Sequence, residues 1–340
     1  MEVSWMRRYD TLTILLASAM MAGGCQASSG NTRVFKLAEL NTEQIRALDR
    51  EKTVVLLPGG ILEEHGPYLP SYTDGYLNER LTDDLAKAIA QRPGWTVVVF
   101  PVIPLGAGGA NAAGGRFPFP GTYAVRPETL RAVFMDLATE FGEQGFRWLF
   151  LIHAHGGPGH NRVLDEAGDF FRDVYGGRMI HLAGLDTGQD PALELMRSRI
   201  SKEVLDEEGL SVHAGLFETL RTMELRPDLV PSAVAQAPSL TARDLSDLFR
   251  IATRPDWPGY FGAPRHATPA LGRGLFEADS GWLVDIAMRL LDGTVDERQI
   301  ARVSALEKVP EVAKALEPAR QRDAATARRQ QEWLASKGTQ

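Results

Sequence analysis

Apolar residues follow two rhythms along this chain. Short continuous runs at Thr53–Leu57, Thr96–Ile103, Trp148–Ile152 and Met179–Ala183 have the length and β-branched content of buried strands. Between them the apolar positions recur at helical spacing. Leu77, Leu81, Leu85 and Ile89 form one stripe within Tyr76–Ile89. Leu130, Val133, Phe134, Leu137 and Phe141 form another within Pro127–Phe141, where Pro127 suits a first helical turn. Asn161–Val174 continues the alternation, and Leu216–Glu224, Ala242–Ile251 and Gly281–Leu291 add helices. Continuous apolar strands between amphipathic helices predict an α/β fold, with a mostly parallel sheet covered on both faces.

Two stretches break the rhythm. Gly106–Gly121 is rich in Gly, Ala and Pro, and is either a mobile loop or one that lines a site. The last forty or so residues are charged and Ala-rich, with Pro310 and Pro318 as breakers, and read as surface helices added to the core. No internal repeat is visible.

The N-terminus has its own pattern. Arg7 and Arg8 precede the apolar run Thr11–Ala22, which is too short to span a bilayer and reads as a secretory segment. Ala22-Gly23-Gly24-Cys25 then resembles a bacterial lipoprotein signal, and Gln26 after the cysteine points to the periplasmic side of the outer membrane, with Cys25 as lipid anchor. A soluble periplasmic protein is the alternative. The expected organisation is a signal over 1–24, a tether over 25–36, a catalytic domain over 37–295 and a helical extension over 296–340.

Composition narrows the chemistry. Cys25 is the single cysteine, which excludes a disulfide framework and a thiolate metal site. The formal net charge of −7 and the lack of a basic block argue against nucleic acid as a partner. A metal would therefore sit on His, Asp and Glu. The segment after the first strand offers that mix in Glu63-Glu64-His65-Gly66-Pro67 and Asp74. Glu63 and His65 lie on one side of an extended segment. The turn-rich run Gly66–Pro70 can fold Asp74 back, where its carboxylate suits a bridge between two ions. His155 leaves the carboxyl end of another strand, and in a parallel sheet such ends share one edge. Imidazole with carboxylate fits Zn, Mn or Fe.

The run Leu57–Asp74 resembles the signature of the creatininase family, and further stretches match it in order. Phe119-Pro120-Gly121-Thr122 is similar to its FPGT turn. Gly145-Phe146-Arg147 with His153–Gly157, then His213–Thr219, then Gly262-Ala263-Pro264 with Ala267-Thr268 and Gly272 follow. The resemblance covers Leu37 to Leu291. It implies a three-layer α/β/α sandwich and a divalent metal centre, usually of two ions, that hydrolyses a non-peptide C–N bond of a small amide with metal-activated water. It assigns Glu63, His65, Asp74 and His155 as ligands and Glu218 as a ligand or proton shuttle. It places His213 beside the substrate, and either His213 or Glu218 would protonate the leaving amine. A homo-oligomer is also implied.

The chain departs from the pattern at several places. Tyr68 stands where many members carry a second His, Leu220 replaces a Ser, and a short insertion brings His160 near the ligand loop. Gly157 occupies the position of a second-metal Glu in true creatininases, so creatinine is not the expected substrate. Glu64 is read as either a solvated carboxylate or one that supports the ligand residues from behind. His153 is read as a strand-end residue bonded to backbone, with a ligand or general acid as the other reading. His160 either caps the following helix or joins the chemistry. His181 is expected in the core and His266 in solvent. Trp148 and the helical Phe residues are expected to pack the core. A non-catalytic lipoprotein that binds a small amide or lactam, or an envelope protein docking through its charged tail, would be the competing readings.

Overall fold

In the computed structural model, the residues described are 33–338. The signal, Cys25 and most of the tether lie outside them. Among the described residues no helix is long and apolar enough to cross a membrane.

Five parallel strands form the central sheet: β1 (Val34–Lys36), β2 (Thr53–Pro58), β3 (Thr96–Val99), β4 (Trp148–Ile152) and β5 (Arg178–His181). Their spatial order is β1-β3-β2-β4-β5. The alternation within β2 divides the core. Val54 and Leu56 face one apolar cluster, built with α2 (Thr73–Ala90) and α9 (Pro269–Leu291). Val55 and Leu57 face the other, built with α3 (Pro127–Glu143) and α4 (Pro158–Tyr175). A sheet buried on both faces explains why its strands read as unbroken apolar runs. The fold is the α/β/α sandwich expected from the sequence. Phe134 and Phe141 are in the core, and Trp148 packs against it.

The remaining elements are α1 (Thr42–Arg46), β6 (Leu185–Asp186), α5 (Pro191–Arg199), α6 (Lys202–Glu208), α7 (Leu216–Leu225), α8 (Leu245–Ala252), β7 (Ala301–Arg302), α10 (Pro310–Ala315) and α11 (Glu317–Gly338). The strands β6 and β7 pair antiparallel beside the main sheet.

Several boundaries differ from the sequence expectation, each for a local reason. Val34–Lys36, assigned to the tether, is an edge strand paired with β3. The strand expected to reach Ile103 ends at Val99 because Pro101 and Pro104 have no N–H for the ladder, although Phe100 and Ile103 still donate to Leu56 and Pro58. The strand expected to reach Ala183 ends at His181 in a 3-10 turn. Helix α8 starts at Leu245, where the Asp244 side chain caps Asp247 N–H. Helix α9 is much longer than Gly281–Leu291. Its interior glycines hid it, yet a Cβ at Gly272 would lie 2.3 Å from Leu220 O, so that glycine permits a close crossing with α7. Pro310 and Pro318 do not break helices; they occupy the first turns of α10 and α11.

The order of strands decides where loops converge. After β2 the chain passes to β3 on one side, and it later returns to place β4 on the other. The crevice between the carboxyl ends of β2 and β4 is thus a topological switch point, the usual place for a ligand in an open α/β sheet.

Candidate metal centre

Six side chains meet at that crevice. Glu63 and His65 come from the loop after β2, Asp74 from the first turn of α2, and His155 from the loop after β4. His213 and Glu218 come from the turn into α7 and from its first turn. Asp74 is therefore not in the loop with His65, as the turn-rich sequence suggested. The helix begins at Thr73, and Thr73 N–H and hydroxyl both donate to Pro70 O, which closes the loop.

Each imidazole has one nitrogen against a backbone carbonyl and the other turned inward. His65 Nδ1 lies 3.1 Å from Glu63 O, His155 Nε2 lies 3.2 Å from Ala107 O, and His213 Nε2 lies 2.6 Å from Glu64 O. A carbonyl oxygen only accepts, so those nitrogens carry the hydrogens. The opposite nitrogens face carboxylates. His65 Nε2 is 3.5 Å from Asp74 Oδ1 and 3.5 Å from Glu218 Oε2. His155 Nδ1 is 3.0 Å from Asp74 Oδ2 and 3.1 Å from Glu63 Oε2. His213 Nδ1 is 3.6 Å from Glu63 Oε1. A backbone acceptor behind each imidazole is how proteins orient histidines toward a cation.

Three overlapping groups have donor atoms close enough to hold a metal ion: Glu63, His65 and His213; Glu63, Asp74 and His155; and His65, Asp74 and Glu218. Asp74 belongs to two of them, with one oxygen turned to each. His213 joins the ligand-bearing groups, a closer place than the substrate-side position implied by resemblance. The donor set fits a divalent cation on a further count: Glu63 Oε2 and His65 Nε2 are buried without a hydrogen-bond partner.

Electrostatics agree. Burial disfavours the His65 imidazolium, but Asp74, Glu218 and Glu63 outweigh it and hold the group up at about 10. His155 is also raised well above the usual imidazole range, as Glu63 and Asp74 overcome burial. Burial would raise Asp74, yet His155 and His65 hold its carboxyl well below the usual range. Three carboxylates in a buried pocket demand positive charge.

Neighbouring residues settle other expectations. Glu64 is buried rather than solvated, belongs to none of the metal groups, and accepts a bond from the Thr122 hydroxyl while its carbonyl fixes His213. His153 is not bonded to backbone through its ring. Both ring nitrogens are buried without partners, packed against Phe134 and His160, and burial holds the imidazole neutral. His160 does not cap α4. It lies in the helix's first turn, and its Nδ1 accepts from Ala107 N–H at 3.3 Å. His181 is in the core as expected, with Nε2 donating to His153 O. His266 is not free in solvent; it is half-buried and paired with Glu207 at 2.7 Å.

Three positioning residues were not anticipated. Asn78, fully buried, donates to Gly59 O at 2.8 Å and accepts from Ala154 N–H at 2.7 Å, joining the roots of both ligand loops. Its spacing of one helical turn from Asp74 is the signal that sequence carried. Thr122 ends the Phe119–Thr122 turn that serves Glu64. Glu208 is a buried carboxylate that accepts from Leu216, Ala263 and Ser211 and pins the turn bearing His213. Nothing in the charged sequence of α6 marks it.

A cavity of about 230 Å³ opens above Glu63, His155, His213 and Glu218. A second, of about 200 Å³, reaches Asp74 and Glu218 from the side of α2 and α9. The first exposes four of the six clustered residues and is the better place for a reacting group.

Comparison with known proteins supports the fold and gives the family. The family model described as creatininase, creatinine amidohydrolase, matches residues 38–287. A mycofactocin precursor peptide peptidase of Mycobacterium ulcerans is 28% identical over 264 residues, 73% of this chain and 90% of that protein. A creatinine amidohydrolase of Pseudomonas putida is 29% identical over 186 residues, 52% of this chain and 66% of that protein. Among solved structures, a creatinine amidohydrolase superposes with a TM-score of 0.57 at 23% identity, covering 75% of this chain and 97% of that one. A manganese form of creatininase gives 0.56 at 22% identity, covering 75% of this chain and 97% of that one. The chain belongs to the creatininase family, whose members are hydrolases acting on C–N bonds.

Proposed function

We propose that this chain hydrolyses the C–N bond of a small, non-peptide amide at a two-metal centre held by Glu63, His65, Asp74, His155, His213 and Glu218. The observation that carries the reading is Asp74, whose two oxygens face two different inward-turned nitrogens, His65 Nε2 and His155 Nδ1, in two separate groups of donors. Zn or Mn is favoured, since solved creatininases include Zn-Zn and Mn forms. Bound there, divalent ions supply a Lewis acid for the carbonyl and lower the pKa of water toward ~7.

The protein's own groups do the rest. Ala107, Glu63 and Glu64 carbonyls hold the three imidazoles in one tautomer. Ala110 N–H donates to Glu63 Oε1 and Ala214 N–H donates to Glu218 Oε2, so both carboxylates are fixed in direction. Ala214 adopts a left-handed φ of 50° to aim that N–H. Glu218 has 25% of its side chain exposed, the most accessible of the clustered groups beside the cavity. It is the residue placed to carry a proton from water to the leaving amine.

The relatives' names span a creatinine amidohydrolase and a precursor-peptide peptidase. Creatinine is not the favoured substrate here, and short peptides belong in the screen beside small amides. We further propose that this chemistry takes place in the periplasm, on the inner face of the outer membrane, a reading supported by the lipoprotein-like N-terminus. That placement rests on the sequence of residues 1–26 alone, and globomycin-sensitive processing of Cys25 in cells would test it.

Metal analysis and an amide screen on the tether-free protein test the reaction. Bound Zn or Mn, with turnover abolished in Asp74→Asn, is the expected result. Absence of metal, with no activity on adding it, would overturn the proposal. Metal binding without turnover of any amide would favour a non-catalytic binding lipoprotein.

A further inference from the structure

The family match ends at residue 287, yet the wall of the cavity above the metal centre does not. Leu306, Val312 and Leu316 line it, and all three lie in the segment that follows the matched region. Leu306 is in a 3-10 turn over Val303–Lys308, Val312 is in α10, and Leu316 ends that helix. Leu248, Phe249 and Phe261 are also part of the cavity lining. We infer that this C-terminal strap is the specificity-determining element of the site, and that it selects amides carrying an uncharged apolar substituent.

The strap is held in register, not laid loosely on the surface. Arg162 Nε donates to Glu307 Oε2 at 2.8 Å, Ser304 donates to Asp165 Oδ2 at 2.6 Å, and Arg302 makes a two-pronged pair with Asp169 at 2.8 and 2.9 Å. Positions 162, 165 and 169 form one stripe of α4 at helical spacing. That helix begins at Pro158, three residues after His155, so the strap is anchored to the helix that directly follows the loop bearing a metal-facing imidazole. On its other side α10 packs against α8, whose Leu248 and Phe249 line the same cavity. Further along, Arg322 stacks over Phe117 at 4.4 Å, tying α11 to the glycine-rich loop, and Arg126, which precedes α3, bonds Gln330 at 2.9 Å. The strap therefore spans the same two structures, α4 and the 106–121 loop, that frame the cavity.

The chemistry of the lining defines the ligand. Apart from Glu63, His155, His213 and Glu218, every lining residue is apolar or glycine. A charged substituent packed against the buried part of this lining, such as Leu248, Phe261 and Val312, would lose water there and find no partner, at a cost that outweighs any packing gain. An alkyl or aryl group would gain from burial. The volume of about 230 Å³ is below the roughly 300–1,000 Å³ of drug-sized sites, so the substrate is small. The inference rests on the amide-hydrolysing reading for the reacting group, and on the cavity alone for the substituent.

A series of acetamide, butanamide and hexanamide tests it, together with a hexanamide analogue ending in a carboxylate. Binding to the tether-free protein is read by saturation-transfer NMR with and without diamagnetic Zn, and kcat/KM of the Mn-loaded protein is measured on the same compounds. Affinity should rise with chain length, and the carboxylate-ended analogue should bind worst. The double variant Leu306→Ala, Leu316→Ala should flatten that dependence by about tenfold at hexanamide. Lys314→Ala, exposed on the same helix, should keep the wild-type slope. If the double variant is unfolded by circular dichroism, Leu306→Trp replaces it, and should exclude hexanamide more than acetamide. A flat series in the wild type, an unchanged slope in the folded wall variant, or equal binding of the charged analogue would overturn the inference. Lack of turnover by the Mn-loaded protein would sink the hydrolase reading, while the binding arm would still decide the role of the strap.

Discussion

Asn78→Ala tests the claim that one buried amide holds the two ligand loops together. The side chain is fully buried on α2, one turn after Asp74. Removing it strands the buried Gly59 C=O and takes its partner from Ala154 N–H, which is part-buried beside a cavity. An orphaned buried backbone group costs about 1–3 kcal/mol, so Gly59 alone predicts a loss of about 1–3 kcal/mol, to which the part-buried Ala154 adds less. Urea denaturation of the metal-free protein reads this without interference from ligand binding. The midpoint should fall at constant slope, and Tm should fall by about 2–4 °C for each kcal/mol lost. The same change should weaken Mn binding, because Gly59 roots the loop of Glu63 and His65 while Ala154 precedes His155. Asn78→Asp keeps an acceptor for Ala154 but sets a carboxylate against Gly59 O, so it should not rescue. A loss below about 1 kcal/mol, or full loss of stability with unchanged Mn affinity, would refute the reasoning.

Other outcomes follow from the same geometry. His65 and His155 have raised pKa values without metal, so metal must displace their protons; affinity should weaken as pH falls, and calorimetry in buffers of different ionisation enthalpy should show about two protons released at pH 7. Gly157→Ala should reduce metal content and stability, by about 1–3 kcal/mol, because a Cβ there would lie 2.6 Å from His155 Nε2 and 2.8 Å from Gly108 O; Gly157→Glu should likewise fail to create a creatininase, and creatinine turnover by that variant would refute the steric account. Burial raises Asp165 from 3.8 to about 6, so the folded state favours its protonated form, and this group's contribution to stability is lost as pH rises from about 4 through 6. Asp165→Asn should therefore stabilise the protein at pH 7 by on the order of 1–3 kcal/mol and flatten its stability profile between pH 4 and 7; a destabilised variant would contradict that sign.

Much of the architecture was legible because burial on both faces of a parallel sheet leaves a simple trace. The runs at Thr53, Thr96 and Trp148 have no polar face to confuse them, and the helices between them keep one apolar stripe. What was misread had a local cause. Helix α9 contains glycines at 272, 274 and 281, which mimic a loop unless their use against a neighbouring helix is seen. Val34–Lys36 is too short to stand out, and it exists as a strand because β3 offers an edge.

The site divides in the same way. Sequence alone determined the donor chemistry: with one cysteine, near the N-terminus, only His, Asp and Glu remained, and ordered motifs singled out Glu63, His65, Asp74, His155 and Glu218. Those residues are local words, and their types survive without coordinates. The tertiary structure alone decided that His213 turns a free nitrogen inward, that Glu64 does not face the metal groups, and that Asn78, Thr122 and Glu208 hold the loops. It also brought a strap from beyond residue 300 over a centre that begins at Glu63. Such facts depend on direction and distance between segments far apart in the chain. A linear pattern carries residue chemistry and local periodicity, but direction in space appears only when the sheet, its switch point and its flanking helices are in place.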